Sequence, residues 1–572
     1  MPNRNDNDRS GQTVSTIEST PSAIGGPEMD SMRGRKSATT GTLRKLFSFH
    51  AFLGALLLAG AYVGTFINVH QAVSPTSQPL RWMESDTLWH ITVGNLILKT
   101  HTWPTHDIYS FTVHGSPWIA YEWLGEVVMS LAWRAGNLHG LAVLVMALVS
   151  VIILGLFYLA YLGSRNTKSA FAACAVLLPL SAISWTLRPQ LLGYIFLVIT
   201  LVLLRRFRQG HTRSIWILPF IFLLWTNTHG TFVLGFAVLG IYWLSGLKEI
   251  QIGDLYSQRW TPRERRQLEL VALLSLIASI ITPYGTQLAA YPLEMAGSQP
   301  MIIQIVQEWQ PLALSESYGK LFLVLVLAFW ILIIVRRFRM RLEDMALLLI
   351  ATAETVMHAR FMVLFVPVFA PLLAELITPW FPPYSETKDH PVLNFALVTL
   401  IIAGIAVSFP SNTRLSSKLA SEMPAGAVQY LAAHPDLGPT FNYFFWGGYL
   451  IQTQASEDRV FIDGRLDIYE YSGVLADYMS IMSLKPDVES LLNKYHVKSC
   501  LIPPENPLAT LLASSTGWKQ VYRDGISAIF LRDKVDAKHA KAAALAQVND
   551  TAAKHKMPTA GAELRSASAG VF

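Results

Sequence analysis

Eleven apolar runs, each close to the size of a helix, recur along the chain between shorter polar stretches. They cover Leu46–Val69, Leu138–Gly163, Ser169–Leu187, Pro189–Leu204, Ser214–Thr228, Thr231–Leu247, Leu268–Ile281, Leu321–Val335, Met345–Met357, Phe361–Ile377 and Leu393–Phe409. A helix that crosses the hydrocarbon core needs roughly 20 mainly apolar residues, and several of these runs are shorter. His229-Gly230 alone separates the Ser214 and Thr231 runs, which leaves either a tight helical hairpin or one long helix. The pattern predicts a mostly α, polytopic membrane protein of about 11 transmembrane helices spanning 46–410.

Three kinds of polar segment interrupt or flank the runs. A first loop, 71–137, is far longer than a connection needs to be, and long loops tend to carry function. After the last run, 411–533 holds short β-rich runs (Arg459–Ile462, Ser499–Ile502, Ile526–Leu531) and amphipathic stretches (Val474–Met482, Val488–Tyr495), predicting a small α/β domain. The ends, 1–45 and 534–572, lack apolar periodicity and are expected to be disordered tails. The first run follows Arg44-Lys45 and is long enough to span, so it is read as a retained anchor rather than a cleaved signal.

Composition agrees with the pattern: of 572 residues, 52% are apolar and only 15% charged, too few for an ordinary soluble chain of this length. The net charge of +6 does not indicate nucleic acid, because the basic residues sit in short clusters between apolar runs. Threaded with the N-terminus inside, Arg165/Lys168, Arg205-Arg206-Phe207-Arg208, Arg263 to Arg266 and Arg336-Arg337-Phe338-Arg339 all fall on one side. The positive-inside rule makes that side cytoplasmic, in the inner (cytoplasmic) membrane. An odd number of spans then puts the C-terminal α/β domain in the periplasm. Two cysteines, Cys174 and Cys500, support neither a disulfide framework nor a thiolate metal site.

The polar chemistry gathers on the outer side. Asp86 and His90, four apart, share one helix face with Gly94, and Glu122 and Glu126 share a face of a second short amphipathic helix. Between them, Pro104 to Ser110, with Asp107, is turn-like. At outer helix ends stand Arg188-Pro189-Gln190, Trp225 to Gly230 with His229, Glu308-Trp309 and His358-Ala359-Arg360. Any one of these could be an anchor at the interface. Together, on the side of the acidic loop, they point to one outward-facing cavity, since ionisable groups at membrane depth usually face a cavity or a partner. Asp86 could take the proton of an acceptor hydroxyl, and Arg188, Arg360 and His229 could stabilise a departing phosphate. In the C-terminal domain, Asp463-Gly464-Arg465 and Asp467 either contact sugar or form a turn whose Asp-Arg pair fixes the domain to the membrane part. Asn442 to Leu450 (NYFFWGGYL) reads as packing.

Asp86-Thr87-Leu88-Trp89-His90, Pro104 to Ser110, Glu122-Trp123, Thr228-His229-Gly230, Asn442 to Leu450 and Val460 to Tyr469 resemble bacterial membrane proteins grouped with the GT-C superfamily of polyprenyl-phosphate-sugar-dependent glycosyltransferases. The resemblance covers roughly Leu46 to Asp533 and implies a hexosyl- or pentosyltransferase. Its donor would be a polyprenyl-phosphate-linked sugar and its acceptor an envelope lipid, glycan or protein, among membrane lipids. Asp86 matches the position of the first-loop catalytic acid, with His90 beside it. Asp107, Glu122, Arg188, His229, Glu308, Arg360, Asp463 and Arg465 are then candidates for substrate binding. Glu84-Ser85 stand where the pattern has an Asp-Pro-Asp start, which weakens a paired-aspartate metal site. A divalent ion held by Asp86, His90, Asp107 or Glu122 stays open. The alternatives are a transporter or flippase of lipid-linked intermediates and a non-catalytic envelope assembly factor.

Overall fold

The computed structural model describes residues 47–69, 82–298, 300–453 and 459–533. The predicted tails at 1–45 and 534–572, and the start of the first outer loop, lie outside the described residues. Each of the eleven apolar runs contains a helix. Among the described residues, seven helical segments are long and apolar enough to cross a membrane: Phe49–Val69, Trp123–Ser164, Thr167–Ser184, Gln190–Arg208, Ser317–Arg336, Ala359–Trp380 and Pro391–Ser408. The Ser214 and Thr231 runs are shorter apolar helices. They fold back on each other, because Gly235 leaves room for the rings of Trp225 and Phe222, which resolves that pair as a hairpin. Pro262–Ala278 and Leu342–Met357 are helical too, but charged residues occupy their first turns.

Burial separates inner helices from peripheral ones. Met362–Ile377 is buried along nearly its whole length and packs against Trp123–Ser164, Thr167–Ser181 and Leu342–Met357. Pro391–Ser408 is as apolar yet buries only Asn394 and Val398, leaving Val392, Leu400, Ile402 and Val407 outward. An apolar helix with an exposed apolar face is what a lipid surround stabilises and water does not.

The 42-residue helix Trp123–Ser164 breaks at Gly136-Asn137, where the backbone leaves helical geometry. Its first part is the second short helix predicted in the loop, and Leu138 opens the apolar span as predicted. At the end where the basic clusters gather, a three-stranded sheet, β1 (Ile250–Ile252), β2 (Leu255–Ser257) and β3 (Met340–Arg341), joins two loops. Beside it Arg208 pairs with Glu343 at 2.7 Å and lies over the Trp260 ring, and Arg205 reaches Asp344 at 3.5 Å.

The C-terminal segment forms a four-stranded mixed sheet in the order β4 (Thr440–Asn442), β5 (Ser499–Ile502), β7 (Ala528–Arg532), β6 (Trp518–Arg523). Helices Val474–Met482 and Val488–Lys494 pack on it as the amphipathic pattern predicts. The run Arg459–Ile462 is not a strand of this sheet. Val460 instead bridges to Ser110 of the first loop, exchanging main-chain hydrogen bonds of 3.0 Å with Tyr109 and Phe111. The two segments share one core, in which Trp89, Val93, Val113 and Trp118 of the loop pack with Phe461, Ile462 and Tyr469.

Candidate functional site

The site begins with a helix start. Thr87 opens the helix Ser85–Thr100 by accepting the Glu84 N–H at 3.3 Å, and its hydroxyl donates to the Leu187 carbonyl at 3.0 Å. Leu187 N–H in turn donates to the Trp82 carbonyl at 2.7 Å. This stitching seats the loop helix on the residues just before Gln190–Arg208, so Glu84 and Asp86 meet Arg188. The Arg188 guanidinium contacts Glu84, lies 2.9 Å from Asp86 and 3.4 Å from Glu308. Glu308 also faces Arg360 at 4.0 Å, and Arg360 lies over the Trp309 ring. Four predicted residues from distant parts of the chain are thus linked: Asp86, Arg188, Glu308 and Arg360.

One guanidinium shared among three carboxylates cannot neutralise them all. Burial, reinforced by Asp463 and Glu308, raises the Asp86 carboxyl to about 7. A carboxylate poised there can both accept a proton and release it near neutral pH.

His90, one turn along the same helix, meets different partners. Its Nδ1 is 3.3 Å from Glu126 and its Nε2 3.6 Å from Glu122, whose other oxygen is 3.2 Å from His229 Nε2. The tautomers follow from the partners. His229 Nδ1 accepts the Thr231 N–H at 3.1 Å, so Nε2 carries the proton and donates to Glu122. Burial lowers His90 to about 3 and His229 well below its usual range, and it raises Glu122 to about 8, against the pull of Arg360. Burial therefore favours a protonated Glu122 between two neutral rings. A protonated Glu122 accepts from His229 and directs its own proton toward His90, as a glutamine amide could. Glu122→Gln should keep the thermal unfolding of the detergent-solubilised protein near wild type. Glu122→Ala strands the buried donor of His229 and leaves the facing nitrogen of His90 unpartnered, and should cost about 1–3 kcal/mol. Equal losses from both would mean that Glu122 carries a charge.

Asp107, Asp463 and Arg465 form a second, closed cluster. The Arg465 fork bonds Asp463 at 2.8 and 2.7 Å and contacts Asp107 at 2.7 Å, with all three side chains at 0% exposure. Asp107 also accepts from Tyr109 N–H, Ser110 N–H and Ser110 Oγ, while the Tyr469 hydroxyl donates to Asp463 at 2.6 Å. Trp118 and Tyr109 lie against the guanidinium, with ring centroids 4.7 and 5.0 Å away. The charged groups of this cluster turn mainly on one another and away from solvent. Asp467 stands apart, accepting from Tyr291 at 2.7 Å.

Sequence reading passed over two residues. Glu84, treated as a departure from a motif, is an Arg188 partner, and Gly464 packs against Asp86. A glycine between two charged residues was the available signal. For a divalent ion, no group of three His, Cys, Asp or Glu side chains among the described residues is arranged to hold one.

No family model matches the chain, and no curated protein does. Solved structures do. The crystal structure of the Archaeoglobus fulgidus oligosaccharyltransferase, tethered with an acceptor peptide containing the NVT sequon, aligns over 86% of this chain and 75% of its own, with TM-score 0.50 and 13% identity. ArnT from Cupriavidus metallidurans bound to undecaprenyl phosphate aligns over 84% of this chain and 98% of its own, with TM-score 0.43 and 12% identity. At such identity the likeness to the archaeal enzyme is one of fold alone, that of a mostly helical chain with several apolar helices long enough to cross a membrane.

Proposed function

We propose that the chain is a membrane glycosyltransferase that moves a hexose or pentose from a polyprenyl-phosphate donor to an envelope lipid, glycan or protein. The reaction would take place on the outer face of the cytoplasmic membrane. The observation that carries this reading is the contact between Asp86 and Arg188, extended through Glu308 to Arg360. An acid poised to accept a proton stands beside two cations that can receive a phosphate. In the reaction the acceptor oxygen or nitrogen attacks the anomeric carbon and its proton passes to Asp86. The bond from that carbon to the phosphate oxygen breaks, and its electron pair leaves on the polyprenyl phosphate. Arg188 and Arg360 stabilise the charge that develops there. Phosphate is a good leaving group, so positioning and fixed charge supply most of the acceleration.

The outward placement is supported by the basic clusters, which gather at the end of the helices opposite Asp86. The archaeal neighbour's tethered acceptor peptide makes a protein acceptor one of the three to test.

The test is transfer of labelled sugar from a panel of polyprenyl-phosphate hexoses and pentoses to extracted envelope lipids, glycans and proteins by the purified protein. Wild type should label one acceptor class, and Arg188→Ala with Arg360→Ala should reduce the rate by about 10²–10³-fold. Absence of transfer from every donor would overturn the reading. Acceptor-independent outward movement of lipid-linked sugar would replace it with transport.

A further inference from the structure

We infer that Gly464, in the C-terminal segment, is a positioning residue for Asp86, an inference that rests on the glycosyl-transfer reading. A Cβ built on Gly464 would overlap a carboxylate oxygen of Asp86, fall 2.7 Å from its Cγ and 2.9 Å from the Trp89 indole nitrogen. The Gly464 backbone does not lie in the left-handed region that favours glycine. What this position requires is space, and Asp86 takes that space.

The turn cannot retreat from the contact. On either side of Gly464, Asp463 is bonded to Arg465, and Arg465 reaches Asp107 in the buried cluster. Just before it, the Asn442 side chain accepts from Phe461 N–H at 2.8 Å and donates to the Ile462 carbonyl at 2.9 Å. Beneath it Gly447 packs so closely that its own Cβ would strike Ile462 and Asp463. Asp86 is therefore held between two surfaces, the Arg188 guanidinium and the bare backbone of Gly464. The C-terminal segment is one wall of the reacting centre, and it sets the rotamer in which Asp86 meets the acceptor. The same wall helps bury the Asp86 carboxyl, which stays partly exposed, and brings Asp463 near it, both of which raise its pKa.

The variant is Gly464→Ala, assayed with the donor and acceptor that wild type uses. A displacement of about 1 Å costs on the order of 10²-fold in rate, so kcat should fall about 100-fold while the donor KM changes little. The acid limb of the pH–kcat profile should move below its wild-type position, because a displaced Asp86 is better solvated. A residue that served stability alone would leave that limb in place. An activity-independent arm is a thermal double-mutant cycle. Gly464→Ala should lower the melting temperature in the wild-type background, even to the point of misfolding. In an Asp86→Ala background, where the overlap with the carboxylate is gone and only the 2.9 Å approach to Trp89 remains, the loss should be markedly smaller.

Unchanged kcat and acid limb in a folded, active Gly464→Ala protein would overturn the inference. So would equal loss of melting temperature in both backgrounds, even if wild type itself transferred no sugar. Absence of sugar transfer by wild type would sink the glycosyl-transfer reading and leave the melting cycle to decide the contact.

Discussion

Asp86→Asn should lower kcat for sugar transfer by about 10³–10⁴-fold, at the upper end of what a positioned base contributes. The amide keeps the shape of the carboxylate and can still lie between Arg188 and Gly464, so the fold has no reason to change. It cannot take a proton. The wild-type rate should depend on pH through the same group. Burial, with Asp463 and Glu308 nearby, holds the Asp86 carboxyl at about 7, and the base is active only when ionised. Activity should therefore climb as pH rises from about 6 to 8, and that limb should vanish in Asp86→Asn. Donor binding should suffer far less than kcat, because Arg188 and Arg360 remain. Loss of donor affinity with kcat preserved would recast Asp86 as a binding group. Transfer at the wild-type rate would remove it from the chemistry.

The fold was legible in this chain to the extent that burial against lipid writes itself into sequence. Long apolar runs mark helices whether or not their neighbours are known, so all eleven runs contain helices and Leu138 marks the start of a span. The strands were harder. β4 is only three residues long, β6 is an edge strand with little burial to pattern it, and Val460 pairs with a residue 350 positions away, which no local pattern encodes. The site divides along the same line. His90, Glu122 and Glu126 could be placed from helix spacing, because residues four apart share a face. That Glu122 would be protonated between two neutral imidazoles depends on burial supplied by three separate segments. Likewise Asp107, Asp463 and Arg465 read as polar residues suited to a sugar, and only their meeting at zero exposure makes them a buried joint.

That joint carries the second large effect. Arg465→Met should destabilise the protein by about 3–5 kcal/mol, because it leaves two buried carboxylates without their cation. Arg465→Lys should recover little, since a single ammonium cannot replace a fork that bonds Asp463 through Nε and Nη2 while Nη1 reaches Asp107. Although buried, Asp463 is held below the usual carboxylate range by Arg465. A depressed folded-state value contributes stability that is present above the ordinary aspartate pKa of about 3.9 and lost as pH falls below it. Acid should therefore loosen the wild-type joint only below about pH 4. The neutral-pH behaviour of Arg465→Met should already resemble the acid-loosened state. Limited proteolysis would detect this as early cleavage of the chain around Ser110 or Val460, whose pairing the joint protects. A triple replacement, Asp107→Leu, Asp463→Leu and Arg465→Met, removes every charge at once and should recover much of the lost stability, as buried ion groups replaced by apolar ones often do. If Arg465→Met melted and resisted protease like wild type, the two segments would be held together by their shared apolar core alone.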